Sequence, residues 1–124
     1  MRRALLTTEE LVPDQVFGRG CDMARIRDRR VAFLYEKKSC EWNRKKAREA
    51  LGQIENTIDD LRSSGKVDPG CTFSRFIVRI KDRPGCSTDG TATAMVQARG
   101  VNFLAGSSDE GRRAIEQMDR LGAV

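Results

Sequence analysis

The side chains that could do chemistry are few. There is no histidine, so the commonest general base and the commonest metal ligand are both missing. Cys21, Cys40, Cys71 and Cys86 are irregularly spaced and include no CxxC pair, which argues against a zinc knuckle or finger. Four reduced thiols in a reducing compartment, cytoplasm or organelle matrix, are expected. Asp59-Asp60 and Asp109-Glu110 are adjacent acids, and neighbouring helical carboxylates diverge by about 100°, so neither pair makes a dyad. Ser107 and Ser108 have no histidine to activate them. Cys86, in a glycine-bounded loop beside Arg83, is the one candidate reactive thiol. That loop, Pro-Gly-Cys-Ser-Thr-Asp-Gly over 84–90, lacks the lysine of a Walker phosphate cradle. The expectation is a non-catalytic protein with no cofactor, no metal and no small-molecule substrate.

What remains is charge. The chain carries 23 Lys and Arg against 18 Asp and Glu, net +5. Ten cations lie between Arg25 and Arg48: Arg25, Arg27, Arg29, Arg30, Lys37, Lys38, Arg44, Lys45, Lys46 and Arg48. Only Asp28, Glu36 and Glu41 oppose them there, so the rest of the chain is slightly acidic. An anionic partner would meet this segment, and arginines suit bidentate phosphate contacts. These ten are the candidate nucleic-acid-binding residues. Phe33, Tyr35 and Trp42 are interleaved with them. Leu34, Tyr35 and Trp42 are candidate partner-binding residues: Tyr35 and Trp42 either stack on unpaired bases or anchor the core.

The element expected to carry these residues is one long helix, or two nearly in line, over residues 22–64. The stretch has no proline, a single glycine and many good helix formers. At 1.5 Å per residue it would span ~65 Å, against a diameter of ~35 Å for a compact chain of this size. It must therefore break near 39–43 or Gly52, or rest on something else. Ala47, Leu51, Ile54, Ile58 and Leu61 form one apolar face at 4-3-4-3 spacing, which anchors the second half. The cations crowd the helix N-terminus, where the dipole disfavours them, so helix stability does not account for them.

Residues 1–21 read as an N-terminal arm whose Phe17 docks on the core. Residues 22–124 read as a single α+β domain. Ser63-Ser64-Gly65 ends the helix and 66–70 is a turn. Strands are expected at 72–81, 91–98 and 101–105, forming an antiparallel meander. In the first, Phe76, Val78 and Ile80 face one way, and Phe73, Arg75, Ile77, Arg79 and Lys81 face a wet, basic side. Ser107 with Glu110 is a capping-box pattern that starts a C-terminal helix running to about Leu121.

The resulting order, helix, three strands, helix across 47–121, resembles the double-stranded-RNA-binding domain and its ribosomal relatives in topology and size. That resemblance implies an α+β sandwich. The family's lysine-rich start to the last helix is here Ser107-Ser108-Asp109-Glu110-Gly111-Arg112-Arg113, so RNA contact would come from the basic helix instead. The expected function is a nucleic-acid-binding component of a larger assembly, gripping phosphate backbone, with RNA ahead of DNA and no membrane partner. The alternative is a protein–protein adaptor, a structural subunit of a virion or complex, or a small inhibitor.

Overall fold

A computed structural model describes residues 8–80 and 84–106, together with 113 and 117. Five strands form one mixed sheet in the order β1-β2-β3-β4-β5. They are β1 (Thr8–Leu11), β2 (Met23–Arg27), β3 (Val31–Ser39), β4 (Thr72–Ile80) and β5 (Val101–Ala105). The helices are α1 (Pro13–Phe17), α2 (Arg44–Ser63) and α3 (Gly90–Ala98). The first three strands pair antiparallel. β4 then runs parallel to β3, and β5 parallel to β4. Parallel neighbours need long crossovers, and α2 and α3 supply them.

This architecture corrects three expectations. The long helix over 22–64 does not form: its first half is the β2–β3 hairpin, and only 44–63 is helical. Met23–Arg27 alternates buried Ala24 and Ile26 with half-exposed Arg25 and Arg27, a period of two. Val31 to Tyr35 is β-branched and aromatic, which suits a pleated, buried surface. The turn has no glycine. Asp28 and Arg29 carry φ of +53° and +58° instead, as in a type I′ turn, closed by Arg30 N–H donating to the Arg27 carbonyl at 3.1 Å.

Second, 91–98 is a helix, not a strand. Asp89 caps it, its carboxylate accepting from the Thr91 N–H at 2.9 Å and the Thr91 hydroxyl at 2.6 Å, and the cap outweighs the β-branched threonines. Third, the three-stranded antiparallel meander is replaced by the five-stranded mixed sheet, so the topological likeness to the double-stranded-RNA-binding domain does not hold. The strands at 72–80 and 101–105 are present. Thr8–Leu11, within the expected arm, is an edge strand on β2. The expected C-terminal helix lies outside the described residues except for Arg113 and Gln117.

Both faces of the central strands are buried, as in other parallel sheets. On one face Ala24, Ile26, Ala32, Leu34 and Ile77 pack against Ala47, Ala50, Ile54, Ile58 and Leu61 of α2 and Ala92 and Val96 of α3. Met23, Phe33, Tyr35, Phe76 and Val78 form a second cluster on the other. The expected wet side of β4 is therefore covered: Ile77 is fully buried and Arg79 is 6% exposed. The Arg79 guanidinium is satisfied by the Cys40 and Ser87 carbonyls at 2.8 and 3.0 Å.

The four thiols are not all reduced. Cys40, just past β3, is disulfide-bonded to Cys86, ahead of α3, while Cys21 and Cys71 are free and buried. Among the described residues no helix is long and apolar enough to cross a membrane.

The segment between α1 and β2 is the tightest fit. Gly20 has φ of +125°, and a Cβ there would meet Pro13 Cβ and Thr57 Oγ1 at 2.6 Å. Gly18, at φ of +76°, has open space around it. Gly20→Ala is expected to destabilise by about 3 kcal/mol, and Gly18→Ala by only about 1 kcal/mol. Urea denaturation of the two variants measures the difference.

Candidate functional site

The hairpin register places a pair of carboxylates face to face. Met23 pairs with Tyr35 and Ala24 with Leu34; one step further, Asp22 stands opposite Glu36. Even-numbered residues of both strands point toward α2, so Asp22, Glu36 and Lys38 share one face, the α2 side. They are held by backbone. The Asp22 N–H donates to Glu36 Oε1 at 3.0 Å, and Asp22 Oδ2 accepts from the Lys37 N–H at 2.6 Å. The Lys38 ammonium lies 3.5 Å from Glu36 Oε2 and 3.7 Å from Glu49 Oε2 of α2. A carboxylate, its facing partner and an ammonium thus converge at the open end of the hairpin.

Helix α2 fixes the approach of the chain to Asp22. Buried Thr57 accepts the Cys21 N–H on its hydroxyl at 2.8 Å and donates to the Gln53 carbonyl at 2.9 Å. Gly20 lets the backbone pass against that hydroxyl. Arg19 is clamped by Asp60, with two N–H···O bonds of 3.0 Å. These contacts wall a cavity of about 470 Å³ lined by Asp14, Arg19, Cys21, Asp22, Glu36 and Gln53 among others.

The electrostatics follow from geometry. Burial raises the Glu36 carboxyl from its ordinary 4.5 to about 8, and the neighbouring Asp22 charge adds to the rise, while Lys38 opposes it. Burial likewise raises the Cys21 thiol to about 11, so it stays protonated and donates to the Met23 carbonyl. A protonated thiol is a poor metal ligand. Glu36 is likewise protonated near neutral pH, so a cation on its oxygens would have to displace that proton; hard carboxylate oxygens of this kind suit Mg²⁺ or Mn²⁺ rather than zinc. Among the described residues no cluster of three or more Cys, Asp or Glu is placed to hold a metal. A cation on Asp22 and Glu36 would complete its shell with water and substrate oxygens, as Mg²⁺ commonly does.

The ten cations expected on one helix are divided among three elements. Arg25 and Arg27 are half-exposed on β2, with Arg25 3.9 Å from Glu10. Arg29, paired with Asp68, and exposed Arg30 sit at the hairpin turn, ~25 Å along the strand from Lys38. Lys37 is exposed at the open end, and Lys38 belongs to the site itself. Arg44 contacts Asp89 and Thr91. Lys45 and Arg48 are exposed and Lys46 half-exposed on α2, within a turn of Glu49. Of the ten, the structure places the Lys38 side chain at the carboxylates, leaves Lys37 on the opposite face of the strand and Lys45 and Arg48 exposed on α2, and sets Arg29 and Arg30 far off. Leu34, Tyr35 and Trp42 are core residues, 0%, 6% and 0% exposed. Trp42 donates to Thr93 Oγ1 at 3.0 Å and packs on Phe103 at 5.0 Å between centroids.

Sequence reasoning missed Asp22 and Glu36, treating them as incidental acids in a basic helix. The available signal was Glu-x-Lys at period two in a strand, with an aspartate placed symmetrically across the turn. Comparison with protein-family models, curated proteins and solved structures finds no match.

Glu36 gives the fold a pH dependence. Its carboxyl binds its proton more tightly in the folded chain than in the unfolded one. The resulting stability is fully present below about pH 4.5 and is lost as pH rises through about 8. In EDTA, the melting temperature should fall between pH 5 and pH 9, and Glu36→Gln should flatten that fall. Thermal melts of both proteins across pH measure it.

Proposed function

We propose that this chain binds nucleic acid and hydrolyses its phosphodiester backbone, using a divalent cation held by Asp22 and Glu36. The observation that carries the reading is the convergence of Asp22, Glu36 and Lys38 beside a cavity, on the α2 face of the hairpin, in a chain of net charge +5. Glu36 is a buried carboxyl facing the exposed carboxylate of Asp22, and burying an ionisable group is costly unless it is paired or binds something. A phosphodiester and a cation satisfy both signs of charge at once.

A bound divalent cation would polarise a phosphoryl oxygen and acidify a water. The chain's own groups would do the rest. Asp22 and Glu36, which face each other in the hairpin register, would hold the cation. Lys38 presents an ammonium to charge developing on the phosphoryl oxygens. Lys45 and Arg48 hold flanking phosphates. Water oxygen forms the new bond to phosphorus, the ester P–O bond breaks, and a water proton goes by way of solvent to the leaving oxygen. Without a histidine, the chemistry would rely on the cation to acidify the attacking water, whose proton would pass to solvent.

This reading departs from the non-catalytic expectation and keeps the nucleic-acid partner. Burial of Leu34, Tyr35 and Trp42 in the chain's own core weighs against the adaptor, subunit or inhibitor alternative, since these apolar groups need no partner to cover them.

Incubation of the full chain with labelled single- and double-stranded DNA and RNA in Mg²⁺ or Mn²⁺ tests the reading. Cleavage is expected, abolished by EDTA and lowered at least about a hundredfold in Asp22→Asn, Glu36→Gln and Lys38→Gln. Cleavage unchanged in all three variants overturns the site. Salt-steep binding without cleavage in any metal leaves a non-catalytic nucleic-acid-binding protein.

A further inference from the structure

The two faces of the sheet are covered differently. α2 and α3 pack on the face of Leu34 and Ile77. α1 joins them there, since Phe17 packs on that cluster and Gly20 is pressed between Pro13 and Thr57 of α2. The opposite face carries Met23, Phe33, Tyr35, Phe76 and Val78. Every one of these belongs to a strand, and no described helix contributes to their cluster. They are nevertheless sealed: Phe33 and Val78 are 0% exposed and Phe76 2%. A single sheet layer leaves the outward side of its own side chains open to water, and a sheet with parallel pairs carries a layer on each face. A part of the chain outside the described elements therefore covers this one.

We propose that this face is the docking surface for the chain's own segment 107–124. The chain leaves the sheet at Gly106, whose N–H donates to the Arg79 carbonyl at 3.0 Å and whose φ of +150° suits a turn away from β5. That exit lies beside Ile80 and Leu104, at the border of the sealed cluster. Arg113 and Gln117 are helical and exposed, and being four residues apart they mark one outward side of a helix. Ile115 and Met118 fall on the other side, at the spacing of an apolar stripe. A helix from 107 to 121 measures ~22 Å, against ~30 Å for the nine residues of β4. Residues 81–83 are too few to cross the cluster, and residues 1–7 lead into β1, at the far edge of the sheet from Leu104. The cavity at Asp22 and Glu36 lies on the α2 side, so this docking stands apart from the reaction proposed there.

NMR of the full wild-type chain, labelled with ¹³C at its methionine methyls, tests the docking. The Met118 methyl is expected to show nuclear Overhauser contacts to ring protons of Phe33, Tyr35 or Phe76. In parallel, Ile115→Asp and Met118→Asp should each lower the melting temperature by at least about 5 °C, while Gln117→Asp shifts it by no more than about 1 °C. No contact from Met118 to those rings overturns the inference. Ring contacts from residues 1–7 in its place also overturn it and assign the face to the N-terminal segment. Contacts found only between differently labelled chains overturn it and assign the face to a second copy. Equal melting temperatures for the three variants count against it in the same way. If an aspartate variant does not fold, the wild-type contacts decide alone.

Discussion

Most of the molecule depends on one constraint: a carboxyl group, Glu36, sits at a buried strand position where an apolar side chain would be easier to accommodate. It is 5% exposed, in a strand whose neighbours Leu34 and Tyr35 are core residues. Burial of an ionisable group there is tolerable only if its partners are fixed. The hairpin provides them by register alone, setting Asp22 opposite and Lys38 two residues along. The cost in stability is localised where it can be useful.

The scaffold is arranged to hold that pair. Parallel crossovers bring α2 and α3 onto one face of the sheet, and α2 touches the site three times: through Glu49 to Lys38, through Gln53 to the cavity, and through Thr57 to Cys21. Gly20 threads the chain between Pro13 and Thr57, so the residue ahead of Asp22 and Cys21 is as constrained as the carboxylates. The end of β3 is tied down as well. The Cys40–Cys86 disulfide closes a separation of 46 residues, worth about 4 kcal/mol on chain-entropy grounds. The Arg79 guanidinium bonds the same two segments. Lys38 is therefore two residues from a doubly anchored point.

Part of this was legible in the sequence. The 4-3-4-3 stripe from Ala47 to Leu61 is the buried face of α2 in all but Leu51, which is half-buried. β4 was legible because β-branched and aromatic residues alternate over 72–80, and β5 because glycines bracket it. The hairpin was hidden by its own residues. Arg, Lys and Glu favour helices in isolation, and the turn uses Asp28 and Arg29 at positive φ, where a glycine would have announced it. Once 22–39 was assigned to a helix, Asp22 and Glu36 fell on unrelated faces and their pairing disappeared. The threonines of α3 pointed to a strand, and only the Asp89 cap argued otherwise. Topology followed: without α3 there is no crossover, and three strands collapse into a meander.

The most direct test is where a divalent cation settles on the folded chain. Mn²⁺ titrated into ¹⁵N-labelled protein broadens amide resonances near its binding site. The account predicts that the Asp22 and Lys37 amides broaden first, at substoichiometric metal, and that Mg²⁺ reverses the effect. Broadening scattered over exposed carboxylates such as Glu55 and Asp59, with Asp22 and Lys37 unaffected, would contradict it.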